Sequence, residues 1–359
     1  MPGAYDGAVD SGRAQRRYAV TFATARSVMA PEMLQRFESL CTALHTATIL
    51  LLRRSRVRGF SLRMIVTSDL AAEIERLRPS PAGSASHFTA TRLSGTVVAK
   101  TLCPDAAGEP YCVVVDDALW SDACGEDLAA GIATLAHELA HCAIERVREA
   151  SGCVLLADGL TIGEVAAQEI VRATLDEYRA DLIEDLFLQA MATATEDGEA
   201  EPLRLHHVHG RGFADGLGAV LTGEVSSGWP DRVQAFRDWQ VPLEEMWPGL
   251  VRSTWEVFVT IAHAGSVART AGAPDPLDGE FASRPGVMLY LWEPWYCLRQ
   301  IADAFRPVCS ASAQAKLEAR AFSEGVDALL RMWGRLGLSF TRNDDGSTTI
   351  EVAEPLRAG

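Results

Sequence analysis

The chain has 359 residues, of which 48% are hydrophobic, enough to bury the core of one large domain or of two fused domains. This composition excludes a disordered protein. The formal net charge of −15 argues against nucleic acid or an anionic membrane surface as the partner of the whole chain. Lys100 and Lys316 are the only lysines, which we read as the codon bias of a GC-rich, bacterial genome.

The N-terminal segment has no positively charged stretch followed by an apolar one, so no secretory signal is predicted. Residues 1–16 are rich in Gly, Ala, Asp and Ser and are predicted to be a disordered tail. The longest apolar stretch, 41–52, is too short to span a bilayer. The eight cysteines form no C-x-x-C pair, which favours free thiols in a reducing compartment. Together these features predict a cytoplasmic protein without a membrane span.

Apolar periodicity and turn residues predict a mixture of strands and helices in the first third of the chain. Pro31 is placed at an early helical position, where its missing N–H does no harm. In chain order, the predicted elements are a strand over 17–23, a helix over 31–54, a strand over 60–67, a helix over 68–78, and two strands over 95–102 and 111–115.

The next predicted helix, over 127–149, contains H-E-x-x-H, with histidines at 137 and 141 and Glu138 between them. Histidines four residues apart lie on one helix face, so both can reach one tetrahedral metal ion with Zn–N distances of about 2.0–2.1 Å. Glu138 can then take a proton from metal-bound water. The alternative is a histidine pair that binds no metal. Cys142 is turned about 100° away from His141 and is not counted as a ligand.

A catalytic zinc ion takes three protein ligands and leaves the fourth position to water. Glu145 lies eight residues after His137, about 12 Å along the helix axis, which is too far to share the metal. A histidine ten residues after His137 would give the metzincin pattern, but that position is Val147. The other option is a glutamate on a second helix.

A second helix is predicted over 164–194, and it contains Glu177-Tyr178-Arg179-Ala180-Asp181. Glu177 and Asp181 are four residues apart and lie on one face. We predict Glu177 as the third ligand, and Asp181 as the acceptor for the free ring N–H of a ligating histidine. The alternative third ligands on this helix are Glu164, Glu169, Asp176 and Glu184.

H-E-x-x-H followed by E-x-x-A-D on a later helix resembles the gluzincin-type zinc metallopeptidases. The E-aromatic-x-A-D form at 177–181 is similar to the HtpX and CAAX-prenyl endopeptidase families, and A-H-E-L-A-H at 136–141 is similar to the ImmA/IrrE-type peptidases. The resemblance covers the two metal helices only. It implies a zinc-dependent peptidase acting on peptides or proteins. The membrane role of the HtpX family does not carry over, since no spanning helix is predicted.

Three more histidines, His206, His207 and His209, are close together after the second helix. One of them, preferably His209, could polarise the scissile carbonyl or stabilise the oxyanion, and the cluster could also bind a second metal. The alternative is a surface or capping cluster without a catalytic role.

The remaining chain is predicted to be mainly helical. Asn343-Asp344-Asp345-Gly346 is a strong signal for a terminal β-hairpin. The predicted elements are helices over 243–270, 294–305 and 311–336, a Gly/Pro-rich loop over 265–285 that could cover a cleft, and strands over 338–341 and 348–352.

The predicted fold class is α+β, with a zincin-like catalytic domain over 17–195 and a mainly helical region over 196–359 that completes the cleft. The strand over 95–102 is the candidate edge that pairs with extended substrate, with an ordinary internal strand as the alternative. Two other functions stay open: hydrolysis of a non-peptide amide, and a regulatory protein in which zinc is structural or sensory and a partner protein is bound. Glu138 favours an enzyme, because a structural zinc ion needs no base.

Overall fold

The computed structural model describes residues 18–25, 30–78, 91–92, 95–96, 98–104, 108–118, 128–153, 159–190, 192–194, 200–209, 212–279 and 281–356. The predicted tail, 1–16, lies outside these residues. The described part is an α+β protein with a small mixed sheet and a mainly helical second half. It divides into two compact units, Met1–Ala90 with Val97–Val147, and Thr91–Thr96 with Arg148–Gly359. The predicted domain limit at residue 195 stays a prediction.

The elements of the first part agree closely with the sequence patterns. The predicted helix over 31–54 is confirmed, and the predicted helix over 127–149 is found two residues longer at its end. In chain order the elements are β1 (Val20–Ala25), α1 (Pro31–Arg54), β2 (Leu62–Thr67), α2 (Leu70–Leu77), β3 (Thr91–Arg92), β4 (Gly95–Thr96), β5 (Ala99–Leu102), β6 (Tyr111–Asp116) and α3 (Leu128–Ser151).

The first unit contains a four-stranded sheet in the order β1-β2-β6-β5. β1, β2 and β6 are parallel, and β5 runs antiparallel to β6. The side chains of the two central strands are mostly buried, as expected for parallel strands covered on both faces. On one face Leu70 and Ile74 of α2 pack with Ile65 and Val114. The Asp69 carboxylate caps α2 by accepting from the N–H of Ala72.

Among the described residues, β5 is the terminal strand of this sheet, which agrees with an edge position for Ala99–Leu102. The first residues of the predicted strand, Gly95–Thr96, instead pair with Thr91–Arg92. Pairing of β5 with substrate stays a prediction.

The second unit is built around two long helices, α4 and α8, which pack along each other. A reciprocal capping box between Thr161 and Glu164 starts α4. Three π-helical segments, Leu221–Gly228, Val287–Leu291 and Ala321–Gly325, continue directly into the helices that follow them. The elements are α4 (Ile162–Gln189), β7 (Ala192–Ala194), β8 (Ala200–Pro202), α5 (Leu205–His209), α6 (Gly212–Val220), α7 (Trp229–Arg237), α8 (Leu243–Thr270), α9 (Trp292–Asp303), α10 (Ala311–Arg320), α11 (Val326–Arg335), β9 (Leu338–Arg342) and β10 (Thr348–Val352).

The predicted helix over 243–270 and the terminal hairpin are confirmed. The predicted loop over 265–285 is wrong in its first six residues, because α8 continues to Thr270. Gly265 is a packing residue and not a loop signal. A Cβ at this position would lie 2.5 Å from Cζ2 of Trp295, whose side chain is buried against the helix.

Substitution Gly265→Ala therefore tests how α8 packs. We expect the methyl group to overpack the contact with Trp295 and to lower the free energy of unfolding by about 1–3 kcal/mol. The matched control is Gly334→Ala on α11, where a Cβ meets nothing within 4 Å. There, alanine should raise the stability by about 0.5–1 kcal/mol. Urea unfolding measures the free energy of unfolding of both variants. Equal shifts in the two would contradict the close packing of Gly265 against Trp295.

Candidate metal centre

The two motif histidines on α3 bring their Nε2 atoms to one place. The Nε2 atoms of His137 and His141 are 3.0 Å apart, and the ring planes stand at 79° to each other. Two nitrogens bound to one tetrahedral zinc ion would be about 3.3 Å apart. Both side chains are partly exposed, while Leu139 and Ala140 between them are fully buried. The burial of α3 therefore fixes the direction of the histidine pair.

Glu138 lies on the same turn but is held differently. Its side chain is only 8% exposed, and its Oε2 accepts a hydrogen bond from Thr101 Oγ1 at 2.6 Å. Thr101 is on the edge strand β5, 37 positions away in the chain. The carboxylate is thus anchored by the sheet of the same unit, in a contact that sequence reasoning missed.

Asp181 on α4 is almost fully buried, with 1% exposure, and it receives two hydrogen bonds from α8. Its Oδ2 accepts from Ser266 Oγ at 2.5 Å and is 3.0 Å from His263 Nδ1. Because a carboxylate can only accept, Nδ1 of His263 carries the proton. The predicted contact of Asp181 with a ligating histidine stays a prediction, and the histidine that contacts its Oδ2 is on another helix, α8.

His263 connects the two predicted acidic residues of α4. Its ring stacks on Phe213 with 4.7 Å between centroids and 16° between planes. Its Nε2 lies 3.7 Å from Glu177 Oε2, too long for a hydrogen bond but within ion-pair range when the ring is protonated. Sequence reasoning missed this residue. The available signal was a single histidine inside the strongly apolar segment 257–264.

Among the residues that the structure describes, two groups of three side chains could hold a metal ion, because the ligand atoms within each group all lie within 4.8 Å of one another. One group is His137, His141 and Glu177, the predicted set. The other is His137, Asp181 and Glu184. Two imidazoles and one carboxylate are a donor set that suits a catalytic zinc ion with its fourth position open to water.

The other alternative ligands on α4 are engaged elsewhere or exposed. Glu164 accepts from both the N–H and the hydroxyl of Thr161 in the capping box, at 2.7 and 2.8 Å. Asp176 forms an ion pair with Arg148, whose Nη2 donates to both carboxylate oxygens at 2.7 and 2.8 Å. Glu169 is exposed. Among the described residues, Glu184 is therefore the alternative that still has suitable neighbours.

The histidine cluster after α4 is on the short helix α5. The rings of His206 and His207 are 4.2 Å apart, and Nδ1 of His206 is buried without a hydrogen-bond partner. Burial, followed by the neighbouring His207, lowers the pKa of His206, so this ring is neutral at pH 7. The His209 side chain lies outside the described part of the structure, and its catalytic role stays a prediction.

Cys142 beside His141 is fully buried, and this burial raises the pKa of its thiol well above its usual range. Full burial of Cys142, beside two partly exposed histidines, agrees with leaving it out of the ligand set. The cysteines in the described residues are all free thiols, as predicted.

No protein-family model matches the chain, and neither a curated protein nor a solved structure matches it. The resemblance to gluzincins therefore rests on the two motifs alone. Within the described residues, no helix combines the length and apolarity that crossing a membrane requires.

Substitution His263→Leu should test the buried contact with Asp181. Leucine leaves the carboxylate with one fewer donor, and we expect a loss of about 1.5–3 kcal/mol in the free energy of unfolding. His263→Asn is the matched variant, because its side-chain amide can donate at the position of Nδ1. Measured by urea unfolding, the Asn variant should recover at least half of the free energy of unfolding that the Leu variant loses. Equal stabilities of the Leu and Asn variants would show that the Nδ1 contact does not stabilise the fold.

Proposed function

We propose that this protein is a zinc-dependent peptidase of gluzincin type. His137, His141 and Glu177 hold Zn²⁺, and Glu138 is the general base. The observation that carries the proposal is that the ligand atoms of the three predicted metal ligands lie within 4.8 Å of one another. The proposed substrate is a peptide or protein, and the free thiols favour the bacterial cytoplasm as the compartment.

The course of α3 supports this ligand set. Arg148 lies seven residues, or two turns, after His141 and therefore on the same helix face. Its guanidinium binds both carboxylate oxygens of Asp176, the residue directly before Glu177. Arg148 therefore holds the residue that directly precedes the proposed third ligand.

When bound, zinc would polarise the substrate carbonyl and lower the pKa of the attacking water. Glu138 accepts the proton of that water on a carboxylate oxygen and later donates it to the leaving amine nitrogen. His263, fixed at Nδ1 by Asp181, directs its Nε2 edge toward Glu177 at 3.7 Å and would attract this carboxylate when the ring is protonated. The partial exposure of His137 and His141 leaves room for substrate.

The second candidate is a regulatory, protein-binding protein in which zinc is structural or sensory. One observation favours it: Glu138 is buried and hydrogen-bonded by Thr101, as a carboxylate with a purely structural role would be. In that case Glu138 takes no proton from water and the zinc ion needs no open position.

Substitution Glu138→Gln separates the two candidates. We expect the variant to keep about one zinc ion per chain, because none of the ligands has changed. Hydrolysis of fluorescently labelled casein should fall by about a hundredfold or more, the usual contribution of a general base. Elemental mass spectrometry and a fluorescence assay measure the two quantities on the same sample.

The matched control is Glu145→Gln, which removes a carboxylate from the same helix two turns further on. It should keep both zinc and activity. A zinc-loaded wild type without any hydrolysis would favour the regulatory candidate, and full activity of the Glu138→Gln variant would exclude Glu138 as the base.

A further inference from the structure

Thr101 makes two contacts with Glu138 through one hydroxyl group. Its Oγ1 is 2.6 Å from Oε2 of the carboxylate and 2.9 Å from the backbone oxygen of the same residue. A hydroxyl has one proton and two lone pairs, so it donates to one of these oxygens at a time. The shorter distance is that of a strong hydrogen bond to an ionised carboxylate.

The main chain of Thr101 faces the other way, toward the open edge of the sheet. Asp116 N donates to Val98 O at 2.9 Å, and the register pairs Lys100 with Val114 and Thr101 with Val113. In an antiparallel pair, hydrogen-bonded and non-hydrogen-bonded positions alternate. Val98 and Lys100 therefore bond to β6, and the N–H and C=O of Thr101 point away from it, to the side where β5 has no neighbouring strand in the described sheet.

We propose that Thr101 is a positioning residue that fixes the general base Glu138 and links its orientation to the strand edge where an extended peptide pairs. This inference rests on the proposed peptidase function. In this arrangement the backbone of Thr101 contacts the substrate strand, and its side chain sets the angle of the catalytic carboxylate.

The two oxygens of Glu138 let this contact persist through the reaction. While the carboxylate is ionised, Thr101 donates to Oε2. Once Glu138 holds the proton taken from water on its other oxygen, Oε1, its Oε2 still accepts the hydrogen bond from Thr101. The transferred proton still passes from water through Glu138 to the leaving amine, and Thr101 keeps its own proton.

The simpler hypothesis is that the Thr101 hydroxyl has a structural role only and stabilises the packing of β5 against α3. Thr101→Val and Thr101→Ala remove the hydroxyl, Thr101→Ser keeps it, and Thr21→Val is the matched control. Thr21 is on β1, at the opposite edge of the same sheet, with its hydroxyl 3.4 Å from Leu62 O. All variants should keep the zinc content of the wild type.

With fluorescently labelled casein, Thr101→Val should lower kcat by about ten- to a hundredfold, since a small misplacement of a catalytic group has this effect. KM should change less than about threefold, because the substrate contacts come from the backbone. Thr101→Ser should return kcat to within about threefold of the wild type, and Thr21→Val should leave both constants unchanged. If the valine variant does not fold, the alanine variant gives the same comparison.

A second readout does not need activity. In zinc-free protein, the shifts in urea midpoint for Thr101→Val and Glu138→Gln should not add in the double variant, because residues in contact are coupled. Additive shifts, or a Thr101→Val enzyme with wild-type kcat, would overturn the inference. Coupling in a wild type that hydrolyses nothing would mean that the proposed function has failed and that Thr101 has a structural role only.

Discussion

Helix α4 is buried along most of its length and yet carries charged side chains, so each buried charge needs a partner inside the protein. These partners come from segments far apart in the chain. Pairing the buried charges of α4 therefore also fixes the positions of those segments. The described contacts pair Asp176 with Arg148, Arg179 with Gln314 and the Pro307 carbonyl, Asp181 with His263 and Ser266, and Asp185 with Arg204.

The proposed metal centre uses the same constraint. Glu177 lies between Asp176 and Asp181, whose carboxylates are held by Arg148 and by His263 and Ser266. Its own side chain keeps 13% exposure and faces His263 Nε2 at 3.7 Å. These contacts fix the helix on both sides of Glu177, so its backbone loses little freedom when the side chain binds a metal. On α3, Thr101 gives Glu138 a comparable support from the sheet.

Sequence patterns predicted the parts of this architecture that depend on local chemistry. Pro31 at a helix start, the apolar stripe of α3 and the Asn343–Gly346 turn each specify their element within a few residues. The supporting contacts were not predictable, because they join residues far apart: Thr101 and Glu138 are separated by 37 positions, and Asp181 and His263 by 82. Gly265 shows the same limit, since only the position of Trp295 explains a glycine inside α8. The gluzincin resemblance and the zinc ion stay predictions.

The most direct test of the account is the zinc content of purified wild type, Glu177→Ala and Glu169→Ala by elemental mass spectrometry. Glu169 is an exposed glutamate of the same helix and serves as the control. We expect about one zinc ion per chain in the wild type and in the Glu169 variant, and clearly less in the Glu177 variant, which lacks one of three ligands. Full zinc occupancy after Glu177→Ala, or a wild type that binds no zinc, would contradict it.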